Sequence, residues 1–570
     1  MKPILTLLTA SLLAATLPAG AQTADQQEIA RLRATTQALI DALVAQGLLT
    51  RDKAQAILKA AQATAAAPAA TTAAATAAAG VAPPAEAAAP KVLRIPYVPE
   101  SVRQQMRDEI KTEVLAQART ERWGQPEALP EWLDHISISG DIRVRGQAEF
   151  FDKDANVPAE VYRTQTTSPA WSPDLTNTTT DRQRMTLRAR LGVDAKLSEQ
   201  VQVGLRIATG STGNSATSTS QTLGNDFNRY TLGLERAYLR WQAPVLSGRL
   251  STEFGRMANP FYSTDLAWAD DLGFDGVATK FSHAFTPRTS LFATAGVFPL
   301  EELTLSTQDK WLLGAQLGGE AELASGVQFK LGLAAYDFRH MEGRRETSPP
   351  PSGPRSGATH YFSSQYAAGL RLKGNTLINL NDPTSTAAPT WGLAAKFRPV
   401  NLTASLQLDG VLPVPVGLTL DWIKNTGFDI RDIERRTGIS FTDPAHPERR
   451  IDEKTNAAQA RLQIGAPKLA RRGDWQAFAA WRLVQRDAWI DGFTDTTWHL
   501  GGTNYKGWSL GGNVGLDRNF WLSARWTSTR NLDDGVRFLA VPGDTTSLSG
   551  NLSSAPLRIE VLQLDLNARF

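Results

Sequence analysis

The chain has 570 residues, 60 Lys and Arg against 57 Asp and Glu, a formal charge of +3 and 42% hydrophobic residues. So small a net charge argues against a nucleic-acid partner. The absence of cysteine excludes disulfides, Cys-ligated zinc and thiol catalysis.

Residues 1–21 read as a cleaved signal peptide: Lys2 gives a positive start, Ile4 to Leu17 is mostly apolar, and Ala19-Gly20-Ala21 is a small-x-small cleavage site. Beyond it no uninterrupted apolar run reaches about 18 residues, which argues against membrane-spanning helices. Strands escape that test, because their membrane signal is spread over short alternating segments. Residues 22–62 carry Ile29, Leu32, Leu39 and Leu43 at near-heptad spacing, then Thr50 as the N-cap of a second short helix. A helical hairpin and a short oligomerising coiled coil both fit. Residues 63–90 are almost entirely Ala, Thr and Pro and read as a linker. Within 91–134, Val102, Met106, Ile110 and Val114 recur at i+4, one narrow apolar stripe on a charged helix. This periplasmic amphipathic helix and the turn after it are expected to pack at the mouth of the strand-rich region 135–570.

From residue 135 to 570 the period becomes two. Ile136, Ile138, Ile142, Val144, Ala148 and Phe150 share one face of the first strand, against Asp141, Arg143, Arg145, Gln147 and Glu149. In the second strand Leu187, Ala189, Leu191 and Val193 oppose Arg184, Arg188, Arg190 and Asp194; the third places Arg206 opposite Leu205 and Ile207. Similar segments begin near Leu232, Arg249, Gly276, Thr289, Trp311, Val327, Leu393, Val414, Ala457, Trp475, Gly507, Phe520 and Leu557. About sixteen strands result, an even number as single-chain bacterial barrels require. Connections alternate between short turns and long polar loops, the asymmetry of an outer-membrane barrel. The parity slip at Pro399 predicts a bulge in strand ten. An alternating piece from Tyr366 to Leu372 leaves open a count of eighteen.

The arginines decide which face meets what. Arg143, Arg145, Arg184, Arg188, Arg190, Arg206, Arg461, Arg482 and Arg525, with Asp141, are expected to line a water-filled lumen, since a dry core would need a partner for each charge. Trp311, Trp422, Trp475, Trp508 and Trp526 fall on the apolar parity and fit an interfacial girdle facing lipid. On the strands alone, arginines outnumber acids (Asp141, Asp194, Asp421, Asp565), which predicts a modest anion preference. Loops 258–273 and 339–391 are the candidates for a constriction, with Asp270 and Asp271 available to pair with lumen arginines. In the last strand Leu562, Leu564, Leu566, Ala568 and Phe570 should meet lipid and Gln563, Asp565 and Arg569 water, with the strand pairing to the one at His135.

The stretch RIPYVPESVRQQMRDEIKTEVLAQARTERW, then PEWLDHISISGDIRVR, and later NLTASLQLDGVLPVPVGLTLDWIKNTGFD, resembles the Putative porin family of Gram-negative bacteria, from about Lys91 to Phe570. The resemblance implies an outer-membrane β-barrel that forms a diffusion channel. It also implies that Phe570 is a terminal aromatic of the kind the barrel-assembly machinery recognises.

The fold expected is therefore all-β, a transmembrane antiparallel barrel preceded by a short periplasmic α-helical region. Its function would be passive diffusion of small hydrophilic solutes across the outer membrane, and a homotrimer is plausible by fold analogy. No enzyme activity, cofactor or metal is expected: six scattered histidines show no ligand spacing, and no nucleophile motif occurs. The alternative is a structural or surface-interaction barrel with a plugged lumen and partner-binding extracellular loops.

Overall fold

The computed structural model describes residues 135–156, 177–210, 216–304, 306–345, 363–367, 369–381, 390–438, 440–442, 451–533, 538–539 and 557–570. The signal peptide, helical hairpin, linker and amphipathic helix expected in 1–134 lie outside them.

Sixteen strands form the wall: β1 Ile136–Phe151, β2 Arg182–Lys196, β3 Val201–Thr209, β4 Leu232–Val245, β5 Gly248–Met257, β6 Phe274–Thr286, β7 Thr289–Glu301 and β8 Lys310–Ala324. The other half is β9 Val327–Arg339, β10 Pro399–Leu408, β11 Val416–Asn425, β12 Asn456–Gly465, β13 Trp475–Val484, β14 Tyr505–Asp517, β15 Phe520–Asn531 and β16 Arg558–Arg569. Each pairs antiparallel with its sequence neighbours, and β16 pairs with β1 from Asp141↔Arg569 to Phe151↔Ile559, so the sheet closes and has no edge. The strands run from 9 to 16 residues, enough to cross a bilayer when tilted.

Alternation sets which side each residue faces. On β16, Leu562, Leu564 and Leu566 are exposed to the outside, while Gln563, Asp565 and Asn567 are buried inside. On β1, Ile138, Ile142 and Phe150 point out, while Gln147 and Glu149 are buried. Trp311, Trp422, Trp475 and Trp526 stand on the outer surface together with Trp241 and Trp481. No described helix is long and apolar enough to cross a membrane, which bears on helices and not on strands.

The apolar core sits inside the barrel. Leu266, Trp268, Leu377, Leu393, Phe397, Trp489 and Ile490 come from three long loops and pack on inward residues such as Ala334, Tyr336, Phe338 and Ile423. Trp268 meets Trp489 edge-on at 4.8 Å and Tyr336 at 5.5 Å, a favoured geometry for aromatic rings. Among the described residues one α-helix, α1 Ile430–Thr437, lies in the β11–β12 loop. Asp429 caps its N-terminus through the Arg431 N–H, and Gly438 ends it in the left-handed conformation at φ 69°.

Two expectations change. Strand ten starts at Pro399, not at Leu393, and holds no bulge at Pro399. Trp391–Leu393 instead pairs with Leu377–Asn379 in a small sheet inside the loop, which Phe538–Leu539 joins in parallel. The parity slip marks where the chain leaves that inner sheet for the wall, and Pro399 takes the first position of a strand, where a missing N–H costs least. The described residues between Tyr366 and Leu372 form no strand, so the wall count is sixteen.

Candidate functional site

The 258–273 loop leaves the rim after β5 and folds into the lumen, held by polar contacts to opposite walls. The Tyr262 backbone exchanges two 2.7 Å hydrogen bonds with the Gln316 amide of β8, and its hydroxyl donates to Ser405 of β10 at 2.7 Å. The Thr264 hydroxyl donates to Asp421 of β11. Asp265 receives Arg482 of β13 at 2.7 Å, Gln459 of β12 at 3.0 Å and the Trp498 indole N–H at 3.3 Å. Asp271 receives Arg190 of β2 at 2.6 Å and both the N–H and hydroxyl of Thr219 at 2.9 Å. Asp270, between these anchors, opens into an enclosed cavity.

Facing this loop is a cavity of about 270 Å³. Its charged lining is Arg143, Arg145, Arg188, Arg461 and Arg525 with Asp265, Asp270, Asp271, Asp495 and Asp565. Arginines and aspartates balance in number, so the excess of arginines read from the strands does not extend to this lining: the loops supply the missing acids. Pairing leaves a residue. Arg145 grips Asp565 through two 2.7 Å bonds, and Arg188 meets Asp141 at 2.8 Å and Asp271 at 3.5 Å. Arg143 donates to Ser220 at 2.6 Å. Among the described residues, Arg143, Arg461 and Arg525 make no salt bridge, and neither do Asp270 and Asp495. The Arg461 and Arg525 guanidiniums lie 3.9 and 5.2 Å from the Phe478 ring centre. That ring lies over Gly511, where an added Cβ would come within 2.5 Å of it.

The loop acids differ in protonation. Burial raises the Asp270 carboxyl to about 6, and Asp495, Asp265 and Asp271 nearby push the same way. Burial would raise Asp271 as well, but Arg190 and Arg188 outweigh it and hold that carboxyl down to about 2.

The remaining arginines named from the sequence do not line this cavity, although Arg190 and Arg482 hold two of its aspartates from behind. Arg184 pairs with Glu149 at 2.7 Å, and Arg190 and Arg206 share Glu235 at 2.8 and 2.6 Å. Arg482 is buried on Asp265 and stacks 4.4 Å from Trp498. The 339–391 loop contributes no described residue to the cavity lining, whereas 217–220 and 495–497 do. Sequence reasoning did not single out Asp265, Asp495, Ser220 or Glu235. A loop acid carries no periodic signal, and Glu235 is the residue skipped where the register shifts between Arg206↔Arg236 and Ile207↔Leu234. Phe570 lies at the opposite end of the barrel, its N–H and C=O bonded to Gly140 and its ring over that glycine.

The model of the family described as Putative porin matches residues 33–570. The chain belongs to the Putative porin family. The match starts well before Lys91, where the resemblance read from the sequence begins. No curated protein matches the porin's sequence. Among solved structures it is similar to OprB of Pseudomonas putida at high pH, with 12% identity, a TM-score of 0.41, and 78% of this chain and 96% of that one covered. An anion-selective porin from Comamonas acidovorans matches with 12% identity and a TM-score of 0.37, covering 76% and 99%. Salmonella typhi OmpF in complex with daunomycin matches with 7% identity and a TM-score of 0.36, covering 76% and 97%. Membership of that family, with the closed sixteen-strand wall, makes the chain an outer-membrane β-barrel porin.

Proposed function

We propose that this porin passes small hydrophilic solutes by passive diffusion, with a modest preference for anions, through the cavity beside the 258–273 loop. The observation that carries the reading is the unequal pairing of its lining. Arg143, Arg461 and Arg525 remain without a carboxylate partner among the described residues, against Asp270 and Asp495. A residual positive charge in a water-filled constriction lowers the barrier for anions and raises it for cations. The polar lining and the absence of bond chemistry suit a solute that is screened by size and charge and then released.

Three further readings accompany it. Residues 1–21 act as a cleaved signal peptide, Phe570 is engaged by the barrel-assembly machinery, and the assembled form is a homotrimer, as fold analogy suggests for a sixteen-strand barrel.

Purified protein in a planar bilayer tests the channel. Discrete current steps are expected, with a reversal potential in a KCl gradient on the anion-selective side. Substituting Arg461→Gln and Arg525→Gln together should move that potential toward zero. The loop residues packed inside the lumen support the alternative of a plugged barrel, and a silent bilayer with correctly inserted protein would favour it.

A further inference from the structure

The outer surface carries a row of positive charge that the channel does not use. On the long-loop side, Lys506 of β14, Arg530 of β15 and Arg558 of β16 face outward and stand in direct register, Lys506↔Arg530 and Arg530↔Arg558. Like charges directly opposite on one face of a sheet repel. The only acid paired with the row among the described residues is Asp152, 3.3 Å from Arg558 at an exposed position. Lys506 and Arg530 have none.

Two residues closer to the membrane centre on β14, roughly 7 Å along the strand, sits Trp508. It is cross-strand to Trp481, and its ring meets Trp526 edge-on at 4.6 Å. Below these, Leu510, Leu562 and Leu564 face outward. The order up the wall is therefore leucine, then tryptophan with the outward-facing Glu560 in the same row (Trp508↔Ser528↔Glu560), then cation. Tryptophan marks the interface of a membrane protein, so the cations stand at headgroup depth, in the leaflet on the long-loop side, which in outer-membrane barrels is extracellular. A groove of about 610 Å³ runs across this patch; its charged lining is Lys506, Arg530 and Arg558 against Asp152 and Glu560, with Trp481 and Trp508 beside them.

We propose that this groove binds the phosphorylated headgroup of a lipid in the extracellular leaflet. Phosphate oxygens would bridge Arg530 and Arg558, whose planar guanidiniums match a phosphate with paired hydrogen bonds, while Lys506 adds a point charge. The acyl chains would lie along Trp481, Trp508 and the leucines below. The bound anion supplies the counter-charge that Lys506 and Arg530 lack, and the lipid fills a groove that faces away from the lumen.

The test is native mass spectrometry of the full-length protein in detergent, titrated with a glucosamine-based glycolipid carrying two phosphates. The same lipid with both phosphates removed is the second probe. The phosphorylated lipid should half-saturate the protein at a concentration ~10-fold or more below that of the dephosphorylated one. A Lys506→Gln, Arg530→Gln, Arg558→Gln variant should lose that difference, while Arg530→Lys with Arg558→Lys keeps most of it. Single-channel conductance of every variant should be unchanged, since none of the three residues faces the lumen. If the triple variant does not insert, the lysine variant and the two lipids still decide. Equal binding of the two lipids, or of the protein and its triple variant, overturns the proposal. Displacement by excess inorganic phosphate also overturns it, by assigning the row to a soluble anion.

Discussion

Asp270 stands between two aspartates that arginines hold ionised, and its own carboxyl sits near 6 because it is enclosed and surrounded by other acids. Above that pH it adds a negative charge to the cavity lining; below it the charge is gone. Lowering the pH from about 7 to about 5 should therefore shift the reversal potential further toward anions, with its midpoint near 6. Asp270→Asn should abolish the step and leave the channel permanently in its low-pH selectivity. Asp271, held down to about 2, contributes no such step over this range. Glu235 works differently. It is buried and serves Arg190 and Arg206 together, so Glu235→Ala strands the Arg206 guanidinium and leaves Arg190 to Asp271 and Asp141. Removing one partner of a buried charge pair typically costs about 3–5 kcal/mol, and access of lumen water argues for the low end. A lower thermal unfolding midpoint in detergent is the expected readout, with Glu235→Gln milder because it can still accept hydrogen bonds.

The loops carry the tertiary packing that the wall lacks. Trp489, fully buried, locks against Trp268, Tyr336 and Phe338 and so joins the 485–504 loop to the 258–273 loop and to β9. Trp489→Ala should destabilise this packing by about 3–5 kcal/mol, as truncation of a buried aromatic does. The barrel should still insert, because its strands are held by their own ladders. Open-channel noise and mean conductance should rise as the loops loosen. The division between wall and loops also explains what could be read in advance. Wall strands were legible because lipid on one side and water on the other impose a period of two; β1, β2 and β16 show it residue by residue. The same period misled at Leu393, Ala395 and Phe397. They alternate as a wall strand would, yet Ala394 between them is equally buried, because that segment is enclosed on both faces within the lumen. Asp270 and Asp271 could be picked out as loop acids near lumen arginines. Which arginine each would meet depended on how the 258–273 loop folds across the barrel, and nothing local in the sequence encodes that path.

At the scale of the whole molecule the barrel is a ring that only its last strand completes. Without β16, β1 and β15 would both present unpaired edges to the membrane, where backbone groups find no water. Phe570 fixes the end of that strand through paired backbone bonds to Gly140, with its ring where a Cβ on Gly140 would lie 2.4 Å from a ring carbon. Deleting Phe570 should reduce the amount of heat-modifiable barrel in the membrane while leaving the conductance of inserted molecules unchanged. Gly140→Val should act in the same direction by displacing the ring. The Arg145–Asp565 pair lies on this same seam, directly cross-strand. A slip of one residue would turn Arg145 toward hydrocarbon, and a slip of two would set it against Gln563 or Asn567. The pair thus acts as a checksum: it matches only if every strand before it has been laid down in step, so the first and last strands together verify the shear of the entire wall.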